Sequence, residues 1–240
     1  MKKMNNSVLV VLMLAFMMAA GCGERGNKSG DKSVADKEGD KFAKLFEEAT
    51  AKLNTFNNLM KEQRYVDGMA FYYDNQADIL IALETSDKIF TFHDRVIIPR
   101  LHRLYKSPEA YLREVSIHEL NLFYLESAMK LGNEGESVRD NYMYTLSYLA
   151  AAYQKSDQIE KALETSTVLL ELLETFEDRD SLGYANTLHN TGIYHQEAKS
   201  YEKALTHFEK AHKIYKELGM RNTKEWENSV KRIKEVKEKI

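Results

Sequence analysis

The stretch L-H-N-T-G-I-Y-H-Q-E-A-K-S-Y-E-K-A-L-T-H-F-E-K-A, residues 188–211, decides the fold. It reads as two helices joined by a short polar turn at Lys199–Ser200. On the first helix Leu188 lies four residues before Gly192. On the second, Tyr201, Ala204, Phe208 and Ala211 recur at intervals of three and four, the spacing of one helical face. Gly192 and Ala204 leave room for two helices to cross closely, and Leu188, Tyr201 and Phe208 fill the space around the crossing.

A second copy precedes it. Shifted by 42 residues, Tyr142, Thr145, Leu146, Ala150 and Gln154 fall on Tyr184, Thr187, Leu188, Gly192 and Gln196. Glu160-Lys161-Ala162-Leu163 falls on Glu202-Lys203-Ala204-Leu205, with a polar turn at 155–158. Self-similarity at such a period marks stacked helix pairs. The two copies span 142–177 and 184–219. They resemble the tetratricopeptide repeat, with a longer spacing like that of kinesin light chains and of bacterial peptide-sensing regulators. The resemblance implies an all-α protein, a right-handed α-α superhelix of about four helix pairs plus a C-terminal capping helix.

Upstream the pattern blurs. Residues 42–61 read as an amphipathic helix through Phe42, Leu45, Phe46, Ala49, Leu53, Phe56 and Met60. Residues 64–84 read as its partner, where Tyr65, Gly68 and Tyr72 echo Tyr201, Ala204 and Phe208. Residues 88–106 and 108–131 form a third pair. Pro108 suits a first helical turn, and Pro99 should kink or split its helix. A final helix at 223–240 carries Trp226, Val230, Ile233, Val236 and Ile240, expected on one face that closes the stack. About nine helices are expected between residues 41 and 240.

The N-terminal end points to export. Lys2 and Lys3 precede the apolar run Val8–Ala20, which has the length of a signal-peptide core and is short for a membrane span. The chain's one cysteine, Cys22, follows Ala20 and Gly21. The ending M-A-A-G-C resembles the lipobox of bacterial lipoproteins, although Ala19 stands where that family usually has leucine. The resemblance implies cleavage of residues 1–21, lipidation of Cys22 with acyl chains such as palmitate, and anchoring to a membrane of the bacterial cell envelope. Residues 22–40 are rich in Gly, Ser, Lys and Asp and nearly free of large apolar residues, so they read as a flexible tether.

Composition narrows the function. A single cysteine allows no intrachain disulfide. Without Lys2 and Lys3, 32 Lys and Arg face 37 Asp and Glu, a mildly acidic balance that is no footprint for nucleic acid. Glu119 follows His118 without a second histidine at the metalloprotease spacing, and no phosphate-binding loop or nucleophile elbow occurs. No enzyme activity and no cofactor are expected. His189, His195, His207 and His212 crowd the last copy, but their spacings within each helix, six and five, fit no metal-ligand pair. His195 takes the place of the aromatic Tyr153, and His207 is expected to face solvent. Tyr72, Tyr142, Tyr153, Tyr201 and Tyr215 occupy apolar positions, with hydroxyls able to reach water or backbone.

The remaining candidate is a groove. The resemblance to tetratricopeptide repeats implies a concave surface lined by the first helix of each pair. It assigns Asn186, His189, Asn190, Ile193 and Gln196 to that surface, with Tyr144, Ser147, Tyr148, Ala151 and Gln154 from the preceding copy. Asn190 matches an asparagine that related repeats direct at a bound peptide backbone. Tyr148 at the equivalent position breaks that ladder, and the basic residues of a carboxylate clamp are absent. The expected function is a membrane-anchored adaptor that binds a partner protein or peptide. The alternative is a sensor for a small peptide or sugar.

Overall fold

A computed structural model describes residues 32–83, 86–130, 132, 135–176 and 181–240. The expected signal peptide, Cys22 and the first part of the tether lie outside the described residues, as does the side chain of Phe42. Among the described residues the fold is all-α, with nine helices and no strand. They are α1 (Lys32–Lys61), α2 (Tyr65–Leu83) and a composite α3. The composite runs through Ser86–Phe92, a π-helical turn His93–Ile97, and Ile98–Leu104. Then come α4 (Glu109–Lys130), α5 (Glu136–Lys155), α6 (Ile159–Thr175), α7 (Leu182–Glu197), α8 (Tyr201–Glu217) and α9 (Lys224–Lys237).

The chain divides into two compact units. One comprises the residues up to Leu104 with Tyr124–Val138, the other Tyr105–Phe123 with Arg139–Ile240. In the first, α1 packs on α2 around Phe56, Met69 and Tyr72, all buried. Phe56 and Phe92 meet edge to face at 5.4 Å. The Tyr72 hydroxyl sits 2.7 Å from His93 Nε2 and accepts a hydrogen bond from Gln76 Nε2 at the same distance. Burial raises the Tyr72 pKa far above the ordinary phenol value. The ring fills the core because its polar tip has partners.

Two expectations change here. The segment expected as tether to residue 40 is helical from Lys32 onward. Few apolar residues argue against burial, not against helix, and a formed helix extends at low cost through good helix formers such as Ala35, Lys37 and Glu38. Pro99, expected to kink or split its helix, is accommodated by a π-helical interruption instead of a break in the chain's helical course. The chain widens into the π-helical turn just before it, and the Ile98 N–H bonds back to the His93 carbonyl. A wider turn makes room for the pyrrolidine ring against the carbonyl four residues earlier. The Val96 carbonyl accepts from Arg100 Nη1 at 2.6 Å.

The second unit contains the two clear repeats. Each pair turns through one non-glycine residue in the left-handed region, Asp157 (φ 64°) and Lys199 (φ 59°), 42 positions apart. Gln158 N–H closes on the Tyr153 carbonyl and Ser200 N–H on the His195 carbonyl, both at 2.8 Å. The turn between α1 and α2 is built alike: Gln63 has φ 60°, and Arg64 N–H reaches the Leu59 carbonyl at 3.0 Å. The echo of Tyr201, Ala204 and Phe208 in Tyr65, Gly68 and Tyr72 is therefore a shared backbone register.

The core of this unit follows the 42-residue shift. Leu146 and Leu188, Ala150 and Gly192, and Ala162 and Ala204 are all buried. Thr145 donates to the Asn141 carbonyl and Thr187 to that of Gly183, at 2.7 and 2.8 Å. The closing helix α9 is capped by Thr223, whose hydroxyl accepts from Trp226 N–H at 3.3 Å. Its seam differs from the expected one. Ser229 is fully buried in the place assigned to Val230, and Val230 and Ile240 are exposed. The contact face runs Trp226, Ser229, Ile233, Val236. A serine fits because its hydroxyl donates to the Trp226 carbonyl at 2.7 Å and lies 2.9 Å from His212 Nδ1.

Candidate functional site

The site is a cleft beside α5, α6 and α7. Its volume is about 330 Å³, and it is lined by Asp140, Met143, Tyr144, Ser147, Leu169, Leu173, Gly183, Asn186, Thr187 and Asn190. Leu169 and Leu173 belong to the buried core and form an apolar floor. The rim is polar. Tyr144 and Ser147 project from α5, and Asn186 and Asn190, one turn apart, from α7. Ser181 fixes the start of α7 by accepting the Tyr184 N–H at 3.0 Å.

Four of the sequence-assigned residues come together here: Tyr144, Ser147, Asn186 and Asn190. Tyr144 is 59% exposed. The Asn186 carboxamide oxygen accepts the Tyr215 hydroxyl at 2.9 Å, which fixes the orientation of its amide. The other six do not line this cleft. Tyr148, 47% exposed, stacks on the buried His118 ring at 5.8 Å and 12°. Gln154 donates to Glu197 at 2.7 Å, and Gln196 accepts from Arg232 at 3.4 Å. Ala151 is half-buried, and Ile193 packs against two core clusters.

His189 corrects the assignment most clearly. It is only 9% exposed, edge-on to Phe208 at 5.3 Å and close to Tyr215. Burial, aided by the Arg232 guanidinium, pushes its pKa down to about 4, so the ring works as a neutral packing group. His207, expected to face solvent, is half-buried. It stacks on His195 at 5.2 Å and 18°, and the Nδ1 atoms of both rings are buried without a hydrogen-bond partner. Burial pushes His207 down to about 4 and lowers His195 as well.

Sequence reasoning missed Asp140, Met143, Gly183, Thr187 and the floor leucines. Asp140 lies one turn before Tyr144 on the same helix, a signal that was present. The 42-residue repeat becomes visible only from Tyr142, whereas α5 begins at Glu136. Among the described residues no group of three or more His, Cys, Asp or Glu is placed to hold a metal ion. No described helix is long and apolar enough to cross a membrane.

Paired helices with an open, polar-rimmed cleft define a helical-repeat scaffold. Residues 142–217 match the family model of the tetratricopeptide repeat. No curated protein matches the chain. Among solved structures, it is similar to the crystal structure of BtubC (BKLC) from P. vanneervenii, at 15% sequence identity and a TM-score of 0.48. That likeness covers 80% of this chain and 71% of the other. The repeat match suggests a protein–protein interaction scaffold.

Proposed function

We propose that this protein is a membrane-anchored adaptor of the bacterial cell envelope that holds a segment of a partner protein in the cleft beside α5 and α7. The observation that carries the reading is the cleft itself, with buried Leu169 and Leu173 beneath exposed Tyr144 and Asn186 and half-buried Ser147 and Asn190. An apolar floor rewards side-chain burial, and the carboxamides both donate and accept toward a peptide backbone. An exposed tyrosine supplies contact area of the kind that dominates interfaces. The anchor rests on Lys2, Lys3, the run Val8–Ala20 and Cys22. Several acyl chains on one residue hold a protein stably at a membrane, and confinement there raises the effective concentration of partners.

A photo-crosslinking residue in place of Tyr144, in intact cells, tests the reading. A discrete crosslinked protein is expected in the membrane fraction, with none from the same residue in place of exposed Lys231 on α9. Cys22→Ala should move the protein and its crosslink out of that fraction. No crosslink at Tyr144, or an equal one at Lys231, removes the cleft from the argument. The volume of the cleft also falls near the lower end of small-ligand sites, about 300–1,000 Å³. A stoichiometric small peptide or sugar retained by the purified protein would instead favour a sensor.

A further inference from the structure

The charge and aromatic content of the cleft define what it takes, on the reading that the cleft binds a protein segment. Among the described lining residues, Asp140 alone carries a formal charge. Asp140 is exposed and makes no ion pair among the described residues. Tyr144 stands one helical turn away on the same face of α5. Elsewhere in this unit several aromatic rings are covered by cations. Arg113 lies 4.2 Å from the centre of Tyr105, Lys155 4.9 Å from Tyr111, Lys161 5.2 Å from Tyr153, and Arg139 5.3 Å from Phe176. Among the described residues no cation covers Tyr144. The helix thus presents a carboxylate and an open π-face side by side, next to an apolar floor.

We infer that Asp140 and Tyr144 form a subsite for an arginine or lysine side chain of the bound segment, and that Leu169 and Leu173 receive an apolar side chain beside it. A guanidinium matches the pair best. Two of its N–H groups can donate to the carboxylate while its plane lies over the phenol ring. The absence of any lysine or arginine among the described lining residues disfavours an acidic segment or a free C-terminal carboxylate, because desolvating that charge would meet no compensating donor cation there. Asn190 and Asn186 would meet the peptide backbone between the two anchored side chains.

Selection from a displayed random-peptide library, on the full-length protein in detergent, tests the subsite. Wild-type protein should enrich peptides with arginine or lysine next to leucine, methionine or phenylalanine. Asp140→Lys should reverse the preference toward aspartate or glutamate. For one enriched arginine peptide, Asp140→Asn should weaken binding about tenfold, as expected for loss of a close charge pair. Replacing its arginine by citrulline should do the same on the wild type and little on the variant. Enriched peptides without a basic residue, or an unchanged consensus on Asp140→Lys, overturn the inference. Ser147→Trp, which fills the cleft, separates this failure from that of the reading beneath it. If neutral peptides are lost on Ser147→Trp, the cleft binds but the cation subsite is wrong. If enriched peptides bind Ser147→Trp unchanged, or no peptide is enriched, both fall. Circular dichroism confirms that each variant is folded.

Discussion

Gly192 and Phe208 touch so closely that a methyl group on the glycine would lie 2.7 Å from two carbons of the ring. The ring cannot swing aside, because Phe208 is fully buried and His189 stands edge-on to it. This contact sets the distance between α7 and α8. Two effects oppose each other in Gly192→Ala. Alanine favours helix over glycine by about 1 kcal/mol, while overpacking a fixed core costs about 1–3 kcal/mol. The variant should therefore lose stability in thermal unfolding. Gly183→Ala on the same helix is the control. Its methyl meets nothing nearer than Ser181 Oγ at 3.6 Å, so it should gain stability. If both variants shift the midpoint upward, the crossing does not depend on a missing side chain.

The left-handed residues of the turns give a second prediction. Gln63, Asp157 and Lys199 each carry a side chain at φ near 60°. That conformation costs an L-residue about 1–2 kcal/mol, and glycine avoids the cost at the expense of greater unfolded-state entropy. Lys199→Gly and Asp157→Gly should each raise the denaturant midpoint, by about 0.5–1 kcal/mol of stability. Unchanged or lowered midpoints would mean that the side chains offset the strain with contacts of their own.

These turns and crossings separate what could be read in the sequence from what could not. The large and small residues of the last repeat placed Leu188, Gly192, Ala204 and Phe208 correctly because such residues at a helix crossing constrain each other directly. His189 was misplaced because a polar letter at a helical position reads as surface, whereas here a neutral imidazole fills an aromatic-sized space. Ser229 displaced Val230 for a similar reason, since local hydrogen bonds satisfy its hydroxyl. The π-helical turn before Pro99 has no residue signature of its own. Of the groove, the polar rim was legible from the repeat, but the depth supplied by Leu169 and Leu173 is a product of packing between helices.

The cleft predicts a difference between two tyrosines that look equivalent in sequence. Tyr144 lines the cleft, whereas Tyr148 is engaged with His118. With a cleft-binding peptide, Tyr144→Ala should weaken binding about tenfold or more, in the range of interface hot spots. Asn190→Ala should cost about 0.5–1.5 kcal/mol per backbone hydrogen bond lost. Tyr148→Ala should leave affinity nearly unchanged and lower stability instead. Titration calorimetry beside thermal unfolding would decide; a larger affinity loss from Tyr148→Ala would move the site along α5 toward His118.

Acid should loosen the C-terminal helices before carboxylate titration does. His189 and His207 are held down near 4, and His195 and His212 are lowered, burial being the main cause in each. The sign follows from linkage. An unfolded histidine takes its proton near 6.5, above the folded value, so protons favour the unfolded chain. The stability these groups support is fully present above about pH 6.5 and is lost progressively as pH falls toward 4. For His189 alone the loss at pH 5 should be about 2 kcal/mol, from roughly 1.4 kcal/mol per pH unit. The stacked His195 and His207 add to it in the same direction, because a proton on one ring opposes a proton on the other. Lys203 near both, and Lys210 near His207, oppose protonation further. Denaturant unfolding at a series of pH values from 7.5 to 5 measures the slope. His189→Asn should flatten it, although removal of the ring lowers the plateau at neutral pH. An equally steep acid loss in that variant would show that His189 takes up its proton without opening the pair α7–α8, and would transfer the effect to the His195–His207 stack.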